Sequence, residues 1–151
     1  MRISAKVDYA IRAAAELAAA RPAAVKGEHI ARVQGIPLKF LENILAELRH
    51  GGVVRSQRGP EGGYWLARAP DGITLAEIIR VVDGPLANVR GERPEEIQFV
   101  GAATALREVW VAVRANARVV LESVTLADLV AGTLPQVVTE LVRDPEAWRP
   151  H

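Results

Sequence analysis

Cysteine is absent from the sequence. The chain therefore has no disulfides, no thiolate nucleophile, no zinc finger built on cysteine and no cysteine-ligated iron–sulfur cluster. Histidine is scarce, since only His29, His50 and His151 occur, and His29 has no partner at the spacing of metal ligands. No metal and no cofactor are expected.

Long hydrophobic runs are also lacking, because none approaches the ~18 residues of a membrane span. The N-terminal stretch has Lys6, Asp8, Arg12 and Glu16 inside its apolar pattern, which is unlike a signal peptide. Hydrophobic residues nevertheless make up 50% of the chain, enough to bury a core. We expect a cytoplasmic protein with no membrane partner.

Neither sign of charge dominates, and the formal net charge is +1. Residues 1–68 contain 11 Lys/Arg and 6 Asp/Glu, whereas residues 69–151 contain 8 and 12. Such asymmetry is typical of a polyanion-binding module joined to a second region, but also of an ordinary solvated surface. Charge alone does not select a function.

The first half shows three amphipathic segments followed by a hairpin pattern. Helices are predicted from Ser4 to about residue 21, over residues 27–35, and over residues 38–50 after Pro37. Two short strands, near residues 53–56 and 63–67, then flank a glycine-proline turn. This order predicts a mainly α winged helix-turn-helix domain with a small β-hairpin over residues 1–83.

The second half, residues 84–151, is interpreted as a loop, a long dimerisation helix and C-terminal short helices. Six apolar residues recur with heptad spacing: Leu106, Trp110, Val113, Ala117, Val120 and Val124. A helix packed on its own domain is the alternative to dimerisation. Capping-box spacings at Thr74 and Thr125 each predict a short helix, and one more is expected to end near residue 144.

The winged-helix pattern contains side chains suited to double-stranded DNA. The second helix of such a module enters the major groove, and its N-terminal polar residues here are Lys39, Glu42 and Asn43. Asn can pair with adenine, Glu can accept from the cytosine amino group, and Lys can reach guanine or phosphate. Without the wing, these residues would be an ordinary solvated helix face.

The hairpin tip contains a candidate for the minor groove. Arg58 precedes Gly59, and an arginine on a glycine-rich turn can enter a narrow A/T-rich groove while the turn approaches the sugar-phosphate wall. Contacts to phosphate or sugar are expected from Lys6, Arg49, His50 and Arg55. His50 could instead cap its own helix, and Arg55 could be a strand residue in solvent.

The segment IPLKFLENILAELRHGGVVRSQRGPEGGYWLAR, the later DGPLANV and the TLADL near the end resemble the Rrf family of bacterial winged-helix transcription regulators. The resemblance extends over most of the chain. It implies a homodimer with a long dimerisation helix, a module that reads palindromic promoter DNA, and usually repression. It also implies base-reading positions at Lys39, Glu42 and Asn43 and a minor-groove position at Arg58.

One segment departs from the family pattern. Many members bear three cysteines in the loop and at the head of the long helix, where this chain has NVRGERPEEIQFVGAATALREVW, with Thr104 near the last cysteine position. Sensing through a cluster does not carry over. A small-molecule or protein effector is expected instead, at the junction of residues 90–96 with the long helix, and the cluster-free branch of the family implies a sulfur-metabolism signal.

Two other classes of function remain open from the sequence. A protein-interaction module could use the winged helix without DNA, and salt-dependent binding to duplex DNA would distinguish the two. An enzyme has less support, because the GPEGG turn leads into a strand and is not a phosphate loop. Asp8 and Glu16 share a helix face only loosely.

Overall fold

The computed structural model describes residues 2–150, so Met1 and His151, the outer ends of the two predicted regions, lie outside the described residues. The helices are α1 Ala5–Ala20, α2 Gly27–Gln34, α3 Leu38–His50, α4 Leu75–Asp83, α5 Leu106–Ser123, α6 Leu126–Ala131 and α7 Gln136–Leu141. The strands β1 Val54–Gln57 and β2 Gly63–Leu66 form one antiparallel hairpin. The predicted mainly α winged-helix fold is confirmed. Within this range no helix is both long enough and apolar enough to cross a membrane.

The helix ends in the first half follow local signals. The Ser4 hydroxyl accepts a hydrogen bond of 3.2 Å from the Val7 amide and caps α1, as Ser commonly does at an N-cap. The helix α2 ends at Gly35, whose left-handed φ of 64° is easily adopted by glycine. Both ends match the sequence prediction because each depends on residues that are adjacent in the chain.

The two predicted capping boxes differ from one another. Around Thr125 the box is complete, since its hydroxyl accepts from the Asp128 amide and the Asp128 carboxylate accepts from the Thr125 amide at 2.9 Å. Thr74 caps α4 through the Glu77 amide at 3.2 Å. The Glu77 carboxylate, however, forms an ion pair with Arg68. The box at α4 is therefore one-sided, because a tertiary partner replaces the local one.

One hydrophobic core joins the helix-turn-helix, the hairpin, α4 and the start of α6. Its fully buried members include Leu17, Ile30, Leu41, Ile44, Leu45, Leu48, Val53, Ile73, Ile78 and Leu126. The backbone also pairs there, since the Leu75 amide donates to the Val124 carbonyl and the Leu126 amide to the Ile73 carbonyl, each at 3.0 Å. The chain after α5 thus returns to the core of the winged helix.

The helix α5 differs from the core helices in its burial. It is the longest described helix at 18 residues, about 27 Å, and it contacts α4, the 3₁₀ turn Pro94–Glu96 and α7. None of its residues is fully buried. Val124, the last predicted position of the heptad seam, follows the helix and is only 4% exposed. It therefore packs inside the chain and is separated from the helix surface.

Candidate nucleic-acid interface

The helix α3 presents two opposite faces. Leu41, Ile44, Leu45 and Leu48 are fully buried, whereas Lys39, Glu42 and Asn43 are exposed. The spacing of the three polar residues, i, i+3 and i+4, places them side by side on the outer face. Within the described chain they form no hydrogen bond or ion pair with other side chains, so their polar groups are available to a ligand.

Phe40 departs from the expected apolar face of α3. Its side chain is 38% exposed, and its ring meets the ring of Tyr9 edge-on with centroids 5.6 Å apart. Its position at the edge of the core, next to Lys39, contrasts with that of the buried leucines. The periodicity does not distinguish a residue at the edge of an apolar face from one at its centre.

The hairpin tip is a tight turn over Gly59–Gly62. The Gly62 amide donates a 3.0 Å hydrogen bond to the Gly59 carbonyl, and Pro60 occupies the second position of the turn, where its fixed φ is favourable. Gly59 has a φ of 103°, a conformation that other residues rarely adopt. Arg58 precedes this turn and is exposed.

Gly62 has a structural role that the sequence analysis did not assign. A Cβ atom there would overlap the Gln57 carbonyl oxygen and the Arg58 backbone across the hairpin. From the sequence, the glycines were expected to allow close approach of the turn to DNA. At Gly62 the hairpin itself requires glycine, because its two strands close too tightly for a side chain.

The hairpin forms backbone hydrogen bonds with the segment immediately before α2. The amide of Val25 donates to the Tyr64 carbonyl and the amide of Tyr64 to the Val25 carbonyl, each at 2.8 Å. Next to this pair, the Lys26 ammonium donates a 2.7 Å hydrogen bond to the Gly59 carbonyl. Sequence reasoning missed Lys26, because its partner lies 33 positions further along the chain and no local pattern relates them.

A cleft of about 220 Å³ lies between the start of α2, α3 and the hairpin. It is lined by Lys26, the N-cap residue of α2, by Glu28 from α2, by Glu42 from α3, and by Arg58 from the hairpin. The fold thus brings Glu42 and Arg58, both selected from the sequence, to one depression. Lys39 and Asn43 lie outside its lining, on the remainder of the exposed α3 face.

Most of the basic residues expected to contact the DNA backbone have partners within the fold. Lys6 pairs with Glu47 at 2.8 Å, and Arg49 Nη1 donates to Ser56 Oγ at 3.2 Å, joining α3 to β1. The ring nitrogen Nδ1 of His50 lies 2.8 Å from the Ala46 carbonyl, the contact expected of a helix-capping residue. Arg55 is exposed on β1, in register with Trp65.

The polar residues considered for catalysis form structural contacts. Arg12 pairs with Asp8 at 2.8 Å, and the Gln34 amide donates to Glu16 at 2.5 Å, which joins α1 to the end of α2. Across residues 2–150, no group of three His, Asp or Glu side chains is arranged to hold a metal ion.

The surface of α5 carries exposed apolar side chains. Leu106, Trp110, Val113 and Val120 from the predicted seam are half-buried, whereas Ala117 lines a groove facing the start of α1. Val109 and Val119, which the heptad pattern missed, are 51% and 55% exposed. The apolar surface of α5 is therefore broader than the predicted seam.

The loop before α5 is docked on that helix. Pro94 and Ile97 are buried, and Glu95 forms an ion pair with Arg114. Two hydrogen bonds lower the pKa of the Glu95 carboxyl. The larger effect comes from its own backbone amide and the next from Arg114. Thr104, near the last family cysteine position, donates through its hydroxyl to the Gly101 carbonyl at 2.7 Å. The polar groups of Glu95 and Thr104 in this segment are thus engaged in an ion pair and hydrogen bonds within the chain.

Comparison with known proteins identifies the family of the chain. A family model described as Rrf2, an iron-dependent transcriptional regulator, matches residues 3–132. The chain belongs to the Rrf2 family of DNA-binding transcription regulators. The resemblance seen in the sequence is thereby confirmed, and the family and its characterised members are regulators of transcription, not enzymes.

Relatives of this Rrf2-family chain match it over most of its length. Rv1287 of Mycobacterium tuberculosis, named as an HTH-type transcriptional regulator, is 49% identical over 97% of this chain and 92% of its own. CymR of Bacillus subtilis is 38% identical over 88% and 92%. The IscR regulator of Erwinia tasmaniensis is 33% identical over 100% and 92%.

Solved structures show the same winged-helix fold. The B. subtilis CymR structure matches with a TM-score of 0.75 and 35% identity over 88% of this chain and 98% of that one. IscR of T. potens matches with a TM-score of 0.70 and 32% identity over 100% and 93%. The Rrf2-family chain therefore resembles both a cysteine regulator and an IscR protein in fold.

The donor residues do not fit the iron dependence in the family description. A cluster of iron and sulfide requires thiolate ligands, or histidines in part, and this chain has no cysteine. His29 contacts Arg32 at 3.1 Å and His50 contacts the Ala46 carbonyl. In this Rrf2-family chain, the residues at the loop and the head of α5 do not form a cluster site.

Proposed function

We propose that this Rrf2-family regulator binds palindromic promoter DNA as a homodimer and represses transcription without an iron–sulfur cluster. The observation that carries the proposal is the common cleft of Glu42 on α3 and Arg58 on the hairpin. A helix that reads the major groove and a wing that reaches the adjacent minor groove must lie on the same side of the module. Their shared cleft meets that requirement.

Base reading is assigned to the exposed face of α3. Asn43 is suited to a bidentate pair with adenine, Glu42 to the cytosine amino group, and Lys39 to guanine or phosphate. Their exposure and lack of described side-chain partners support this assignment, because a side chain already held by the fold would have to break that contact to reach a base.

Backbone contacts are assigned to the basic residues around this face. Arg49 and Arg55 are exposed, and Gly59 lets the turn approach the sugar-phosphate wall. Lys6 and His50 have internal partners and position α1 and α3. Lys6 contacts phosphate through its remaining ammonium N–H groups, and His50 contacts sugar through its ring carbon atoms.

The homodimer is assigned to α5. Its apolar residues Leu106, Trp110, Val113 and Val120 are half-buried, and Val109 and Val119 extend the face. A helix of this length with no fully buried residue gains stability if a second copy covers its apolar side. Two protomers joined there would present two α3 helices about one DNA turn, ~34 Å, apart.

The signal is assigned to sulfur metabolism. Support comes from CymR, described as the global cysteine regulator of B. subtilis, which matches this chain in both sequence and fold. The effector is placed where residues 90–96 meet α5, because a shift there would move the two α3 helices relative to one another.

The decisive experiment maps the binding sites of the tagged protein across the genome and then measures binding to one mapped duplex at several salt concentrations. The regulator proposal expects palindromic sites and an affinity that falls steeply with salt, because phosphate contacts release counterions. An affinity that does not change with salt concentration, or an absence of enriched sites, would instead favour a protein-interaction module.

A further inference from the structure

Four arginines converge on a cleft of about 440 Å³ between α4, the loop before α5, and α5 itself. Arg80 comes from α4, Arg93 from the loop, and Arg114 and Arg118 from α5. These segments are separated in the sequence, so only the fold places the four guanidinium groups around one depression.

Within residues 2–150, two carboxylates form ion pairs with these arginines. Glu95 pairs with Arg114. Glu122 receives both Arg80 and Arg118, the latter at 3.0 Å, on the same oxygen atom. The Arg93 guanidinium forms no hydrogen bond or ion pair among the described residues, although its charge contributes to the lowered pKa of Glu95. Four cations and two anions leave an excess of two positive charges around the cleft.

Both carboxyl groups remain ionised near neutral pH. Hydrogen bonds from Arg80, the larger effect, and from Arg118 lower the pKa of the Glu122 carboxyl. The pKa of the Glu95 carboxyl is also lowered. Protonation therefore does not alter the charge balance near neutrality, and the excess is a property of the folded chain.

The ion pairs join the loop and α4 to α5, but two carboxylates do not balance the charge of four arginines. Exposed ion pairs contribute little, and crowding guanidinium groups with too few carboxylates is unfavourable unless an anion is shared. Arginine forks bind carboxylate and phosphate oxygens in pairs. Pro85 and Leu86 add an apolar wall beside the arginines, which suits a ligand with a short carbon chain.

We propose that this cleft binds a small organic dianion bearing carboxylate or phosphate groups. Two negative charges match the excess of two, and the volume lies in the range of small-molecule sites, roughly 300–1,000 Å³. Arg93 and Arg118 are the principal ligand contacts, because Arg93 is unpaired in the described fold and Arg118 shares its carboxylate with Arg80.

A ligand in this cleft would bridge two functional parts of the molecule. Arg80 lies on α4, which packs on the core of the winged helix, while Arg118 lies on α5, the proposed dimer helix. A dianion that prefers one arrangement of α4 against α5 would shift the population towards it. This effector role rests on the proposed function, whereas the binding site itself does not.

The test is calorimetric titration of the full chain, without DNA and at constant ionic strength. The probes are succinate, glycerol 3-phosphate and, as the monoanion control, acetate. We expect saturable binding of a dianion at low millimolar concentration or tighter, and no saturable binding of acetate. Succinate and glycerol 3-phosphate separate the carboxylate from the phosphate form of the ligand.

Variants locate the site. Arg93→Gln and Arg118→Gln should each weaken dianion binding about tenfold or more, since each removes a charge-assisted contact. Arg107→Gln is the matched control, because this exposed arginine on α5 lies outside the cleft. The affinity of this variant for the dianion should be unchanged.

Absence of saturable dianion binding to the wild-type chain would overturn the proposal. An equal loss in Arg107→Gln would also overturn it, since general charge screening would then explain the binding. Because DNA is absent from this titration, the result is independent of the proposed operator binding, which is measured separately with the mapped duplex.

Discussion

The ammonium of Lys26 donates a 2.7 Å hydrogen bond to the carbonyl of Gly59, joining the N-cap residue of α2 to the tip of the hairpin. The same carbonyl accepts the Gly62 amide at 3.0 Å. The tip that follows Arg58 is thus held against the helix-turn-helix by a side chain as well as by the strand pairing at Val25. We expect this contact to help hold Arg58 in its position relative to α3.

Lys26→Met should loosen the hairpin tip, because it removes the donor and keeps an apolar stem of similar length. Amide hydrogen exchange at residues 61–63 is expected to accelerate, since local opening of the tip becomes less costly. Glu28→Gln, also beside the cleft, is the control and should leave exchange unchanged. Unaltered exchange in Lys26→Met would show that the contact does not restrain the tip.

Arg58→Ala should weaken binding to a mapped operator by about 1 to 3 kcal/mol, the usual cost of a lost groove contact. The measurement is fluorescence anisotropy with the labelled duplex. Glu61→Ala changes an exposed charge in the same turn and should not weaken binding. An Arg58→Ala protein with wild-type affinity for an A/T-containing operator would contradict the wing assignment.

Asn43→Ala should relax base preference at one position in each half-site. The reason is that a bidentate amide contact discriminates between bases, whereas phosphate contacts do not. Binding to a panel of singly substituted operators measures the effect. Arg55→Ala, expected to lose a backbone contact, provides the comparison and should lower affinity across the panel uniformly. A uniform loss in Asn43→Ala as well would remove Asn43 from base reading.

Val119→Asp should shift the protein from dimer to monomer, because a carboxylate would be buried without a partner at the interface. Val113→Asp should act in the same way. Since Val119 is 55% exposed in the single chain, its substitution leaves the monomer core intact. Arg107→Asp introduces the same side chain away from the exposed valines and should remain dimeric. Sedimentation at micromolar concentration measures the oligomeric state of each protein. A monomeric wild-type protein would contradict the proposed dimer.

The purified protein should be colourless and free of iron, because no thiolate is available to hold a cluster. Aerobic and anaerobic preparations should show the same visible absorption, iron content and operator affinity. Stoichiometric iron, an absorption band in the range of cluster proteins, or DNA binding that depends on oxygen would show that the family's iron dependence extends to this chain.

Local signals made the helix-turn-helix predictable. Pro37 before α3 and two glycines after it give the bounds Leu38–His50 that the structure shows. These signals act between residues a few positions apart, where geometry depends little on the rest of the chain. The exposed positions of Lys39, Glu42 and Asn43 follow from the same helical period.

Composition and neighbouring residues were sufficient to predict the order of the helices, the hairpin, the missing thiolates and the outward face of α3. The folded chain was needed to show that Val124 is buried, that Lys26 contacts the hairpin tip, and that four arginines surround one cleft. These relationships join residues distant in the chain. They exist only after the core has brought the helices together, so no periodicity or spacing in the sequence records them.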